Sequence, residues 1–207
     1  MEVENALKLI SEFKGDNLKI KLGEVKTKLI GKSIVEIPNQ HELFKAALMI
    51  KKLSAQIDEI VHATGIINCL PKILEHGEII ESLSLASGAE GEGIDLITNK
   101  RIAEFKFAIW QQKGNGMRKR QVFADCVNLF LFETDKKKEL YVVGAEVIEK
   151  YFQSRRASWR KTLSKSGELD HRLDEYFRKH NITGEKLNDV FSISKVKIID
   201  VEAVLPK

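Results

Sequence analysis

The sequence predicts an α/β fold built on a mixed sheet with helices on both faces. Three observations carry that reading. Short strand-like runs cluster between residues 81 and 110, helical patterns stand on either side of them, and another strand-like run at 139–144 follows the second helix. Consecutive short strands form an antiparallel meander, whereas a strand reached through a crossover helix returns to the same sheet. The order α-β-β-β-α-β therefore describes one mixed sheet covered on both sides. At 207 residues, with 43% hydrophobic and 31% charged residues and three prolines, the chain is long enough to bury a sizeable core. It is expected to form a single domain. Residues 56–160 are its core, 1–55 an N-terminal addition, and 161–207 a helical addition with a last strand.

The elements follow in order. "VENALKLISEF" (3–13) has helical spacing, and "NLKIKLGEV" (17–25) and "KLIGKSIVEIP" (28–38) look like strands. A helical pattern runs from about His41 through "IDEIVHATGIINCLPKILEHG", with a break expected near Gly65 or Pro71. "ESLSLAS" (81–87), "GIDLITN" (93–99) and "RIAEFKFAIW" (101–110) are strand-like, separated by "GAEGEG" and by a tight turn at Asn99–Lys100. "GNGMRKRQVFADCVNLFLF" (114–132) opens with a glycine loop and continues as a helix with Val122, Cys126, Leu129 and Phe130 on one face. "ELYVVG" (139–144) is a strand. "AEVIEKYFQSRRASWRKTL" (145–163) and "LDHRLDEYFRKH" (169–180) are amphipathic helices, and "VKIIDVEAVL" (196–205) is a last strand.

The formal charge is +4 and the isoelectric point about 8.9, a mildly basic balance compatible with a polyanionic partner. Cations cluster in "RKR" (118–120), "KKK" (136–138) and "RRASWRK" (155–161), although such runs are usually only a solvated face. Cys69 and Cys126 have no metal-ligand spacing and the five histidines are scattered, so no zinc site is expected. No signal pattern and no 18-residue apolar run occurs, which predicts a cytoplasmic, reduced protein without membrane insertion. The loop "GAEGEGID" is not a nucleotide loop. Phosphate-cradling glycines lead from a strand into a helix, and this loop leads into another strand.

The hairpin "GIDLITNKRIAEFKF" (93–107) holds charges where core side chains are wanted. With a two-residue turn at Asn99–Lys100, Ile97 faces Ile102, Leu96 faces Ala103 and Asp95 faces Glu104. Opposed residues have Cβ atoms about 4.5–5.5 Å apart, and Lys106, two residues beyond Glu104, projects from the same face. Two half-buried like charges need compensation. Either Lys106 bridges both carboxylates as an ion pair, or a hard divalent cation such as Mg²⁺ takes their oxygens.

Asp95, eight intervening residues, then Glu104-Phe105-Lys106 resembles the D…(D/E)-x-K signature of the PD-(D/E)XK nuclease superfamily, with its restriction-endonuclease-like fold. The resemblance covers about 57–160, including the α-β-β-β-α-β order and the signature's place on the second and third strands. It departs from the pattern at Gly93-Ile94, where a proline often stands. The resemblance implies metal-dependent phosphodiester hydrolysis with Asp95, Glu104 and Lys106 as catalytic residues. It implies Mg²⁺, with Mn²⁺ as a substitute, held by Asp95, Glu104 and the Phe105 carbonyl. Members often add an acidic residue from the preceding helix; Glu59 is the leading candidate, ahead of Glu75, Glu78 and Glu81, and His62 lies one turn from it. Arg118, Gln121 and Asp125 form one stripe of the following helix, where some members place a Gln or Arg near the metal. Arg118, Gln121, Arg155, Arg156 and Arg160 are candidate nucleic-acid contacts, and Gly114-Asn115-Gly116 would open the helix toward a phosphate. Trp110 either stacks on a base or belongs to the core. Double-stranded DNA is the expected partner, restriction or defence the expected role, and a homodimer the expected assembly. The alternative is a catalytically inactive nucleic-acid- or partner-binding module on the same fold.

Overall fold

A computed structural model describes residues 1–31, 40–86, 93–108, 110, 114 and 116–202. The chain divides into two compact units, Met1–Asp58 and Glu59–Lys207. In the first unit α1 (Val3–Lys14) packs on α3 (His41–Leu53), and the buried residue of each helix is an alanine, Ala6 or Ala46. The segment at 17–25, expected to be a strand, is instead helix α2 (Leu18–Leu29). Its alternation of apolar and charged residues conceals a second period, Leu18, Leu22, Val25 and Leu29 at i, i+4, i+7 and i+11. Asn17 starts the helix, its side-chain oxygen accepting from the N–H groups of Lys19 (3.0 Å) and Ile20 (3.3 Å). Leu18, Leu22 and Val25 line an apolar groove of about 480 Å³ with Ile10, Phe13 and Phe44. Most of the strand expected at 28–38 lies outside the described residues.

The helical pattern breaks at residues 54–56 rather than at Gly65 or Pro71, both of which lie inside α4 (Ile57–Ile73). Pro71 stands in the last turn, where a lost N–H removes one bond near the helix end. Gly65 serves close approach: a Cβ there would lie 2.6 Å from the Phe107 ring.

The second unit is α/β. Strands β1 (Ile80–Leu83), β2 (Leu96–Thr98), β3 (Arg101–Lys106), β4 (Lys137–Val142) and β5 (Lys197–Asp200) form one five-stranded mixed sheet in the order β1-β2-β3-β4-β5. The first three are antiparallel, and β3, β4 and β5 run parallel. Crossover helix α5 (Gly116–Leu131) joins β3 to β4, as a parallel return requires. One face packs Leu96, Ala103, Phe105 and Tyr141 with Ile66 and Cys69 of α4. The other packs Ile102, Leu140 and Val142 with Val122, Cys126 and Leu129 of α5 and the later helices.

Two helices replace the single one expected at 145–163: α6 (Ala145–Phe152) and α7 (Trp159–Leu163). Between them the Ser154 hydroxyl accepts from the Arg156 (3.3 Å) and Ala157 (3.1 Å) N–H groups, turning the chain. Asp200 accepts from the Gly144 (3.2 Å) and Ala145 (2.7 Å) N–H groups at the start of α6, tying that helix to β5. After α8 (Leu169–Lys179) comes α9 (Leu187–Ser194), which was not anticipated. Its start is held by Asp189, which accepts from the Glu185 and Lys186 N–H groups at 2.9 Å each.

At the head of the β2–β3 hairpin, the Thr98 hydroxyl accepts from the Lys100 (3.0 Å) and Arg101 (2.9 Å) N–H groups. Arg101 is 3% exposed and forks onto Glu78 (2.6 and 2.7 Å), with a third bond to Glu139 (2.7 Å) and a fourth to the Tyr141 hydroxyl (2.9 Å). These contacts clamp the start of β3 to β4 and to the segment before β1. Glu104 and Lys106 lie at the other end of the strand.

Candidate active site

The hairpin has the register expected from its two-residue turn. Leu96 pairs with Ala103 and Ile97 with Ile102, so the next pair outward is Asp95 with Glu104. Gly93 enters this stretch at φ +70°, a conformation that favours glycine. Asp95 is 9% exposed; its Oδ2 accepts from the Phe105 N–H at 2.8 Å, fixing the carboxylate to β3. Glu104 is 4% exposed, and Lys106 Nζ donates to its Oε2 at 3.2 Å.

Two helices bring further groups. From α5, Asp125 places Oδ2 3.2 Å from Lys106 Nζ. From α4, His62 Nε2 lies 3.4 Å from Asp95 Oδ1, and that nitrogen is buried without a hydrogen-bond partner. The Phe107 ring meets His62 edge-on, with centroids 6.2 Å apart, where Gly65 admits it. Lys106 thus bridges Glu104 and Asp125, not Glu104 and Asp95 as a simple cross-strand ion pair would have it.

With all three carboxyls ionised, one ammonium would leave two negative charges uncompensated. Burial raises the Glu104 carboxyl well above the usual carboxylate range; Lys106 opposes that rise, and the charges of Asp95 and Asp125 add to it. Asp125 is raised by burial too, with Lys106 opposing and Asp95 adding. For Lys106, burial disfavours the ammonium, but Asp125, Glu104 and Asp95 together outweigh burial and raise its pKa. Buried carboxyls that resist ionisation on their own, beside an imidazole nitrogen without a hydrogen-bond partner, are oxygen and nitrogen donors that a divalent cation could use. Among the described residues no three His, Cys, Asp or Glu side chains are placed to hold a metal ion together. Mg²⁺ is usually bound by one or two carboxylates with the remaining positions taken by backbone, substrate and water, so Asp95 and Glu104 are the residues that could hold it.

The other candidates are dispersed. Glu59 is exposed on α4, one turn before His62, and it is His62 that reaches Asp95. Glu75 and Glu78 belong to the Arg101 cluster, and Glu81 pairs with Lys136 at 2.6 Å. Arg118 and Gln121 are exposed on α5, with Asp125 the member of that stripe that contacts the hairpin. Arg155 and Arg156 are exposed between α6 and α7, whereas Arg160 lies 4.3 Å over the Trp159 ring and pairs with Asp174. Trp110 packs against the larger core. Asn115 and most of "GAEGEG" lie outside the described residues. The run at 136–138 is engaged: Lys136 and Lys137 pair with Glu81 and Glu75, and Lys138 donates to the Phe130 (2.7 Å) and Phe132 (2.8 Å) carbonyls at the end of α5.

His62 and Asp125 join the hairpin cluster from the two helices. Their signals in the sequence are helical spacing: His62 stands one turn from Glu59, beside the site or merely packed, and Asp125 is the third member of the stripe on the following helix. Both thiols are chemically quiet, burial pushing Cys69 up to about 11 and Cys126 to about 12. Among the described residues no helix is long and apolar enough to cross a membrane. Comparison of the chain with protein-family models, curated proteins and solved structures finds no match.

Proposed function

We propose that the protein is a metal-dependent endonuclease of the restriction-endonuclease-like class that hydrolyses phosphodiester bonds in DNA. The observation that carries this reading is the buried convergence of Asp95, Glu104 and Lys106 on one hairpin with surplus negative charge. Asp95, Glu104 and the Phe105 carbonyl would hold Mg²⁺ or Mn²⁺, with His62 as a nitrogen donor beside Asp95. The bound ion supplies an acidified water and positive charge at the scissile phosphate. Asp95 is oriented for this by the Phe105 N–H. Lys106 brings an ammonium to the phosphate oxygens, where charge develops as the water oxygen bonds to phosphorus and the P–O bond to the leaving group breaks. The exposed Arg118, Gln121, Arg155 and Arg156 would contact the DNA backbone, which gives affinity without sequence information. DNA as substrate, a restriction or defence role and a symmetric dimer follow from the resemblance to the superfamily.

The test is cleavage of supercoiled and linear duplex DNA by the purified protein in Mg²⁺, Mn²⁺ or EDTA, beside folded Asp95→Ala and Lys106→Ala variants. Metal-dependent nicking lost in both variants is expected. Intact DNA and RNA, together with no Asp95-dependent Mn²⁺ binding in calorimetry, would overturn the reading. The ion pairs of Lys106 with Glu104 and Asp125 favour a second one, a binding module in which Lys106 stands in for the cation. Retention of DNA without metal-dependent cleavage identifies it.

A further inference from the structure

We infer that Asp125 is a positioning residue, the counter-ion that keeps Lys106, drawn away from Glu104, when a divalent cation occupies the hairpin carboxylates. The inference rests on the nuclease reading for the identity of that cation site. Lys106 Nζ stands 3.2 Å from Glu104 Oε2 and 3.2 Å from Asp125 Oδ2, yet the two contacts differ in kind. Toward Glu104 it donates a hydrogen bond, while Asp125 Oδ2 is buried and has no hydrogen-bond partner. Asp125 thus already shares the ammonium as an ion pair, and realignment alone would complete a hydrogen bond to it.

The consequence concerns competition. Glu104 and Lys106 are two residues apart on one strand and share a face, so the ammonium is always within reach of a carboxylate that the cation also needs. Lys106 is 23% exposed, and releasing its ammonium from every partner in such surroundings is costly. Swinging away from Glu104 keeps the ion pair that Lys106 already makes with Asp125, so the ammonium is not left without a carboxylate when Glu104 is released. The receiving carboxylate is held in place, because Val122, Cys126 and Leu129 on the same helix are buried in the core.

The experiment is a double-mutant cycle on Mn²⁺ affinity, measured by calorimetry on the full chain with wild type, Asp125→Asn, Lys106→Met and the double variant. Asp125→Asn alone should weaken Mn²⁺ binding on the order of ten-fold or more, and in the Lys106→Met background its effect should shrink to about two-fold or less. An equal loss in both backgrounds would mean that Asp125 acts only through its field, and the inference falls. A second measurement covers the case in which Asp125→Asn does not fold: a crystal structure of the wild type with Mn²⁺. Lys106 hydrogen-bonded to Asp125 and beyond ion-pair distance of Glu104 is expected, and Lys106 still on Glu104 beside the bound ion overturns the proposal. Wild-type protein that binds no Mn²⁺ through Asp95 removes the nuclease reading along with it, whereas binding with an additive cycle removes this inference alone.

Discussion

Gly65 lacks a side chain at a point where one would stand 2.6 Å from the Phe107 ring, one helical turn from His62. Gly65→Ala is therefore expected to lose about 1–3 kcal/mol in urea unfolding, even though alanine is the better helix former. Because α4 and Phe107 must separate, Mn²⁺ affinity should fall in the same variant. Glu104 poses the opposite case. Its carboxylate is buried beside Asp95 and Asp125, so Glu104→Gln should raise metal-free stability by about 1–2 kcal/mol at neutral pH while abolishing Mn²⁺ binding. Unfolding in EDTA and calorimetry check the two halves; a destabilised Gln variant would show that Lys106 already compensates the charge. The trio Asp95, Glu104 and Lys106 was legible because a two-residue turn and a period of two place side chains without knowledge of the rest of the chain. His62 and Asp125 were not assigned to it, because helix packing decides which turn of α4 or α5 meets a strand, and one sequence does not specify that.

The elements differ in how far local pattern determines them. β3 and α5 are strongly patterned and begin close to where periodicity puts them, although β3 ends at Lys106, short of the strand-like run to 110. In α2 the period-two alternation of its first residues competes with a helical stripe, and a capping asparagine with helix-tolerant lysines tips the balance. The break between α6 and α7 depends on one serine hydroxyl, a signal too small to outweigh an amphipathic run. At the head of β3, the fork of Arg101 joins elements that are distant in sequence. Arg101, opposed by burial and helped by Thr98 and the Glu75 N–H, holds the Glu78 carboxyl down at about 2, against an unfolded value near 4.5. The unfolded chain therefore binds the proton first. The stabilisation is present in full above about pH 4.5 and is lost as pH falls toward 2. It amounts to roughly 3 kcal/mol, since the Glu78 side chain has no exposed surface. Glu78→Gln should flatten that part of the pH–stability profile in chemical denaturation, and an unchanged acid limb would contradict the clamp.

For the molecule as a whole, the mixed sheet was legible because three strands, a helix and a strand permit few connections. A boundary near residue 55 was legible too, close to the division at 58, but the sequence predicts an addition to one domain where the chain forms two compact units, since no change of composition marks their separation. Both hydrophobic clusters of the second unit are built from residues 66–201. A fragment comprising 55–207 is accordingly expected to unfold cooperatively by circular dichroism; a non-cooperative transition would show that it needs 1–54. The sheet order also bears on the route to the native state. Paired residues of β2 and β3 are close neighbours in the chain, whereas β4 and β5 are joined by the whole stretch from α6 to α9. Local pairing closes early and parallel pairing late. Local pairing is therefore expected to bring Asp95 beside Glu104 and Lys106 while the parallel half of the sheet is still open, so these three charges would meet in water and lose it only as the later strands close.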